Sequence, residues 1–591
     1  MADDLEKIPR VDGIDSSSLG SCSIASSPVL VPIKTVNTRT HGHDVLEALE
    51  HALTPDVETE AEREAREPIT YTRTGTSVTS VASRPLDFEV FFEDGDPENP
   101  KNWSKAYRAW IIAAVSYSTW VVVLYSTCYT ASISGLAEEF GASTTVATLG
   151  LTTYLFGLGA GSLIVAPLSE LYGRQKVYIG CLSVWALLIL PCALASSLTE
   201  IIVVRFFCAV FGAAMVSNSP GTIVDITDPD HLAAAMSIWS IAPLNGPSTG
   251  PIIGGFVYQY LGWRWDCWIP LILGAAGVFM MLTVKETYHP EILKRKAARL
   301  RKENDDPRYW CQYDQRVSTR HLIKINMSRP FTMVATEPIL WFMDIWISLI
   351  YAILYLCFVA YPIVFSQYRG WEAGISGLAF VGIGIGTMIA IFAEPLFRRL
   401  INSQPRDPVT GKPQPEATAL VMAIGAILTP LGQLAFSWTC LPDTIHWAVP
   451  IFFGIPFGAG NTISFIYGSN YLAGAYSIYA ASALAGNAVL RSIAGGVLPL
   501  AGPKMYAAMT PQWAGTLLGL LEVAMIPIPF VFWRYGAKIR AKSPVVRALR
   551  EEQDRLDEKR AKYQRRADKR QEREVDGTKP DQGVLETAAD D

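Results

Sequence analysis

The chain has 591 residues, 50% of them hydrophobic and only 18% charged, a balance expected of a protein embedded in a bilayer rather than of a soluble domain. Fifty Lys and Arg against 55 Asp and Glu leave a net charge of −5, which argues against a nucleic-acid binder built on a basic surface. Nine cysteines scattered singly and seven histidines without ligand spacing offer no disulfide framework, metal centre or nucleophile motif, so neither a cofactor nor enzyme activity is expected.

Residues 1–105 are polar, rich in Ser, Thr, Glu and Arg, and lack the basic-then-apolar start of a secretory leader. They read as a disordered cytosolic tail. Beyond them, apolar runs of about twenty residues, the length that crosses a hydrocarbon core, recur in order. The first six lie at 110–130, 144–168, 177–195, 201–222, 232–258 and 268–284. A polar insert, 285–330, separates them from six more at 339–365, 378–396, 417–438, 445–467, 478–502 and 513–535. The expected organisation is therefore two six-helix bundles, 106–284 and 331–536, followed by a solvated cytosolic tail, 537–591.

Basic residues fix the expected orientation, because cytoplasmic loops collect Lys and Arg. Arg174 and Lys176, the insert from Lys294 to Lys302, and Arg398-Arg399 fall in loops of one parity, whereas the opposite loops offer Glu138, Glu139 and Asp443. Arg369 and Lys504 run against the pattern. Both termini are expected in the cytosol, and the glycosylation patterns at Asn102 and Asn326 fall on that side and should be unused.

Three segments stand out along the chain. Ala166-Pro-Leu168-Ser-Glu170-Leu-Tyr-Gly173-Arg174-Gln-Lys176 joins the second and third runs, with Gly173 supplying a tight reversal. In the fourth run Arg205 precedes a small-residue face through Gly212; snorkelling to the interface is the alternative to a functional role. The fifth run holds Gly246-Pro-Ser-Thr-Gly250-Pro251-Ile-Ile-Gly254-Gly255, where each Gly would weaken a soluble helix by roughly 1 kcal/mol relative to Ala. In a bilayer the same bare stripe lets another helix approach closely, and Pro251 bends the rod that carries it.

Ionisable groups inside the runs are the functional candidates, since each costs about 2.5 to 3.5 kcal/mol on insertion scales and needs a partner or a wet cavity. Arg205, Asp344, Arg491 and Glu522 are such groups. Asp344, in Trp341-Phe-Met-Asp344-Ile-Trp346, is a candidate proton carrier or cation-binding group, its alternative being a carboxylate at a watery rim; Arg491 is a candidate partner for Asp344 or Glu522, or for an anionic substrate. Trp239, Trp346 and Tyr351 are candidate cavity aromatics, together with Tyr117, Trp120, Tyr154, Phe465, Tyr467 and Tyr471; interfacial anchoring accounts for many of them. Asn245, Asn461 and Asn487 could hydrogen-bond a substrate or a neighbouring helix.

The glycine-proline segment, GxxxGPxxGG, resembles the fifth-span signature of proton-coupled antiporters in the major facilitator superfamily. The Gly173 loop resembles that superfamily's GxLaDrxGrk loop, with Ala166 in place of Gly, Glu170 in place of Asp and Leu171 in place of a basic residue. Arg205 resembles its fourth-span arginine, although Ala209 stands where Gly is usual. Asn99-Pro-Lys-Asn-Trp103-Ser, Gly262-Trp-Arg264-Trp265, Glu286-Thr-Tyr288, Arg329-Pro330-Phe, Glu337-Pro338-Ile and Tyr479-Ala-Ala-Ser482 are similar to the fungal twelve-span drug:proton antiporters, which include multidrug, polyamine and secondary-metabolite exporters. Gly474 departs from that branch, where an acidic residue is common.

The resemblance implies an all-α membrane protein of the major facilitator fold, with 12 transmembrane helices in two six-helix bundles. It implies that Glu170, with Gly173, Arg174 and Lys176, latches the bundles in one access state, that Gly246, Gly250, Pro251, Gly254 and Gly255 shape the conformational change, and that Arg205 serves proton transfer or tunes its neighbours. The expected function is proton-coupled export of drugs, toxins or secondary metabolites across the plasma membrane by a monomer in the lipid bilayer, with protons and a small-molecule substrate as partners. An organic-acid or other small-metabolite carrier on the same fold is the alternative, and a non-transporting nutrient sensor a remote one.

Overall fold

The computed structural model describes residues 88–547 except 94, 312, 315–318, 407–412, 477–478 and 544, and leaves aside the side chains of 229–230 and 319–326. The first bundle starts with α1 (Lys105–Cys128), capped by the Ser104 hydroxyl, which accepts from the Tyr107 amide. A 3-10 turn, Tyr129–Ser132, leads into α2 (Ile133–Glu139). There follow α3 (Thr144–Tyr172), α4 (Arg174–Ala193), α5 (Leu198–Ile226), α6 (Pro229–Leu261) and α7 (Trp265–Leu282). The insert is helical in part, with α8 (His289–Glu303) and α9 (Thr319–Thr336), the latter running past the expected boundary at 330. The second bundle comprises α10 (Pro338–Pro362), α11 (Ala373–Leu378), α12 (Val381–Phe392), α13 (Glu394–Asn402), α14 (Glu416–Thr439), α15 (Ala448–Tyr476), α16 (Ala480–Met525) and α17 (Pro527–Lys542).

Ten helical stretches among the described residues are long and apolar enough to cross a membrane. Two further crossings complete the expected twelve. The 33-residue α6 is one, its hydropathy diluted by Gly, Pro, Ser and Asn. The other lies within Ala480–Lys542, whose 63 residues would reach about 95 Å as one rod, roughly three times a hydrocarbon core. Thr510, at φ 63 and ψ 154, breaks that rod before Pro511 and turns it into two crossings.

The glycines of α6 fix packing both within the first bundle and between the bundles. Gly246, Gly250 and Gly254 lie against α1: a Cβ would meet Val123 Cβ at 3.0 Å from Gly246, Cys128 N and Leu124 O at 2.8 Å from Gly250, and Cys128 Sγ at 2.8 Å from Gly254. Gly255 faces the second bundle instead, with Ala373 O 2.6 Å from its would-be Cβ, and the Pro251 carbonyl lies against Gly377. Pro251 has no amide to offer the Pro247 carbonyl one turn back. Thr127 Oγ1 on α1 donates to that carbonyl at 2.9 Å, so the kink is satisfied from the neighbouring helix.

The end opposite the insert is sealed between the bundles. Tyr355 OH and Ser126 Oγ are 3.3 Å apart, and Thr152 Oγ1 donates to Gly496 O at 2.7 Å. An aromatic ladder backs this contact, with Tyr361 stacked on Phe436 at 4.5 Å and on Phe380 at 4.8 Å. Arg369, which runs against the charge rule, is held there by the carbonyls of Cys440 and Ile445, both at 3.0 Å, so it fastens a loop.

Both tails are shorter than composition implies. Residues 88–104, expected in the solvated N-terminal tail, pack on the insert: Val90 is buried beside Leu293 and Ala297, and Lys296 pairs with Asp96 at 2.6 Å. At the other end α17 passes 536, Arg540 forks Glu416 with two bonds of 2.7 Å, and Val545 and Val546 are buried. Alternating apolar and charged residues made these pieces look solvated; their apolar side chains find cover only in the fold. The remainder of both expected tails, 1–87 and 548–591, lies outside the described residues.

Two outcomes follow from this packing. Gly250→Val should abolish or severely lower folded protein, whereas Gly180→Ala on α4, with nothing within 4 Å of its would-be Cβ, should gain roughly 1 kcal/mol in thermal melts. Glu337, fully buried before α10, accepts from Ser543 Oγ at 2.8 Å and Tyr476 OH at 3.2 Å. Burial raises its pKa above the ordinary 4.5, opposed by Ser543, Tyr476 and the Val545 amide. A carboxyl raised in the folded state stabilises docking fully below its unfolded pKa and loses that contribution as pH rises through the folded value. Amide exchange at 545–547, corrected for intrinsic rates, should therefore quicken as pH rises above the ordinary carboxyl range, and Glu337→Gln should flatten the trend.

Candidate functional site

Four of the sequence candidates meet on two facing helices of the second bundle. Asp344 and Tyr351 share one face of α10 at a spacing of seven, and Asn487 and Arg491 share one face of α16 at a spacing of four. Asn487 Nδ2 donates to Asp344 Oδ1 at 2.8 Å, while Oδ2 is buried with no hydrogen-bond partner. The Arg491 guanidinium lies 5.3 Å from the Tyr351 ring centroid and 4.8 Å from that of Phe465. Among the described residues it pairs with neither Asp344 nor Glu522, contrary to expectation: the Asn487 amide, one turn earlier on α16, is what meets Asp344. Glu522 stands apart on the second half of α16, 3% exposed, with both carboxyl oxygens buried and without a partner.

Arg205 belongs to a separate centre in the first bundle. It is 0% exposed, so the snorkelling alternative does not describe it. Its Nε donates to Gly150 O at 2.8 Å, and Nη2 reaches the carbonyls of Tyr125 and Ser126 at 3.3 Å. Those two carbonyls lie in the last turn of α1, where helical donors run out and a cation is favoured by the helix dipole. Rings of Tyr125, Tyr129 and Tyr154 surround the guanidinium at 4.6, 4.2 and 4.9 Å. Nη1 is buried without a partner.

Asp266, at the start of α7, lies on the far side of a small cavity from Arg205 and is 3% exposed. Ser132 Oγ donates to its Oδ2, and Cys128 Sγ to its Oδ1 at 3.5 Å. The cavity between them measures about 10 Å³, room for one water. Sequence reading missed Asp266 because the apolar run was taken to begin at 268, which left this carboxylate in a loop. The helix starts three residues earlier, at Trp265.

The remaining candidates are dispersed. Asn245 Nδ2 contacts Met388 Sδ at 3.3 Å across to α12, and Trp239 is half-buried with Nε1 unpartnered. Trp346, 1% exposed, sits in the core of the second bundle against Gly468; Tyr154 and Tyr471 are likewise core residues. Asn461 donates to Ile350 O at 3.3 Å, bonding helix to helix.

At the insert end, Gly173 reverses the chain at φ 91. Arg174 Nε donates to Asp225 at 3.3 Å and Nη1 to Ser169 Oγ at 2.9 Å, and the guanidinium lies over Tyr288 at 5.1 Å. Glu286 caps α4 by accepting from the amides of Arg174 at 2.8 Å and Gln175 at 3.3 Å. Asp225 and Glu286 are thus part of a network that local sequence did not reveal, because they lie 51 and 112 positions from Arg174. Lys176 is exposed. Glu170 is exposed too, and among the described residues it makes no hydrogen bond or ion pair.

Residues 111–499 match the family Major Facilitator Superfamily. The chain is 38% identical over 490 residues to the citrinin biosynthesis cluster MFS transporter mrr1 of Monascus ruber, spanning 80% of this chain and 97% of that one. It is 36% identical over 464 residues to the efflux pump FUB11 of Gibberella moniliformis, 77% of each. Among solved structures it is similar to the xylose transporter XylE from E. coli in a partially occluded inward open conformation, with a TM-score of 0.53 and 14% identity over 73% of this chain and 98% of that one. That last likeness is one of fold.

A double-mutant cycle checks the Asp344–Asn487 bond. Asn487→Ala alone leaves the buried carboxyl without its donor and should cost about 1 to 3 kcal/mol in detergent melts, and the cost should largely vanish in an Asp344→Leu background. Equal costs in both backgrounds would show the bond to be energetically idle.

Proposed function

The chain belongs to the major facilitator superfamily, and on that footing we propose that this membrane transporter is a proton-driven exporter of small organic compounds of the secondary-metabolite kind. The observation that carries the reading is the strip Asp344, Asn487, Arg491 and Tyr351 on two facing helices, which holds a buried carboxyl with one oxygen lacking a hydrogen-bond partner and, one helical turn past its amide partner Asn487, an arginine that among the described residues is met only by rings. Relatives named for a citrinin biosynthesis cluster and as an efflux pump support the substrate class and the direction.

In this reading the bundles 106–284 and 331–536 rock about their contact, opening a midplane site to either side in turn. The insert end is cytosolic, as the placement of basic residues supports, and the protein works as a monomer in the plasma membrane. The bonds across the opposite end and a Glu170 that makes no hydrogen bond or ion pair among the described residues fit a state open toward the cytosol, in which the latch is released. An aromatic substrate rests on Tyr351 and Phe465 with its polar group toward Arg491, and a proton on Asp344 competes with it. A membrane potential of about 100 mV contributes about 2.3 kcal/mol per charge moved, enough for a roughly fiftyfold gradient. A second reading, a carrier of organic anions, is favoured by Arg491, which has no carboxylate within ion-pair distance among the described residues.

The test is accumulation in sealed vesicles under an imposed acid step, across cationic, neutral and anionic aromatic compounds. Asp344→Asn should lower gradient-driven accumulation about tenfold or more, and collapsing the gradient should do the same to the parent. Arg491→Ala should weaken transport of anions selectively if the second reading holds, and of all compounds if the first does. No movement of any compound under any gradient would sink both.

A further inference from the structure

Resting on the reading above for orientation and proton drive, we propose that Asp266, facing Arg205 across the small cavity, is a second protonation site, loaded from the outer face and distinct from Asp344. The two charged groups are buried yet not joined: Arg205 Nη1 has no partner, and the cavity that both line holds about 10 Å³. One water fits there and finds a donor on the arginine and an acceptor on the carboxylate.

The site lies directly beneath a solvent-facing cover. Trp263 also lines the cavity and donates its indole N–H to Glu139, which pairs with Arg264 at 2.9 Å. Arg264 and Glu139 are 46% and 40% exposed, so water reaches the cover itself. The other titratable groups turned toward the centre are thiols and phenols: Tyr125, Cys128 and Tyr129 from α1 and its turn, Tyr154 from α3, Cys192 from α4, Cys208 from α5 and Cys267 from α7. Arg205 is therefore the one fixed charge facing Asp266 among the described residues.

A proton taken from outer water binds one Asp266 oxygen and cancels its charge. No other bond is made or broken, and the proton returns to water once the cavity opens to the cytosol. Protonation weakens the charge-assisted bonds from Ser132 and Cys128. Cys128 and the carbonyls of Tyr125 and Ser126 held by Arg205 lie in the last turn of α1, where Gly250 and Gly254 of α6 rest on Leu124, Thr127 and Cys128, and Ser132 ends the 3-10 turn that follows. Loss of the ties frees that stretch to move against the glycine face.

Infrared difference spectra of the full-length chain in liposomes, recorded between about pH 8 and pH 5 outside, test this without any substrate. A carbonyl band of a protonated carboxylic acid should appear on acidification, vanish in Asp266→Asn and change frequency in Arg205→Lys. Glu139→Gln, which alters only the cover, should change the rate at which the band appears and not its size. A full set of bands in Asp266→Asn overturns the proposal. Should that variant fail to fold, Asp266→Glu replaces it: a shifted band and midpoint support the site, and an unchanged pair overturns it. A chain that titrates in this way but moves no solute would sink the transport reading while leaving the site standing.

Discussion

A helix face stripped of side chains is the constraint on which the rest of this structure depends. Because Gly246, Gly250 and Gly254 present only backbone, α1 can press against α6 along the turns from Val123 to Cys128, closer than any Cβ would permit. In a bilayer no hydrophobic effect draws helices together, so close van der Waals packing and interhelical hydrogen bonds must do it. Thr127, which meets the carbonyl that Pro251 leaves open, supplies both at one point. The same α6 turns its next position, Gly255, to the second bundle, so one rod carries the packing within a bundle and the contact between bundles.

That packing decides where charge can be kept. The end of α1 exposes carbonyls that Arg205 satisfies, and its 3-10 turn brings Ser132 to Asp266, so the packing hinge and a buried charge centre share residues 125–132. Elsewhere the chain treats buried charge in other ways. Arg540 and Glu416 neutralise each other by a two-bond fork, the geometry that best repays desolvation. Asp344 has a neutral amide for company and Arg491 only rings, while Glu522 has no hydrogen-bond partner at all among the described residues. Fully paired groups hold structure; groups left half-satisfied inside a membrane are the ones with free energy to gain from a proton or a ligand.

The two ends of the bundles differ in a matching way. Opposite the insert, a hydroxyl pair, Tyr355 with Ser126, and a hydroxyl-to-carbonyl bond, Thr152 to Gly496, join one bundle to the other, and stacked rings of the second bundle back them. At the insert end, Arg174, Asp225 and Glu286 tie elements of the first bundle to its own flanking segment, and Glu170 makes no hydrogen bond or ion pair among the described residues. Bonds that cross between bundles thus concentrate at one end, the asymmetry a rocking mechanism requires of any single state.

Sequence alone settled what depends on composition and short-range spacing. Runs of apolar residues, the glycine-proline stripe and the Gly173 reversal were legible because a membrane's thickness and a helix's period act on neighbours in the chain. It also singled out Asp344, Asn487 and Arg491, since a polar group in an apolar run is conspicuous. Only the tertiary structure decided their partners: that Asn487 and not Arg491 meets Asp344, that Trp346 is core, and that Asp266, read as a loop residue, faces Arg205 across 61 positions of chain. Pairings of that kind are set by how bent helices cross, and crossing geometry is a property of packed surfaces rather than of local residue order.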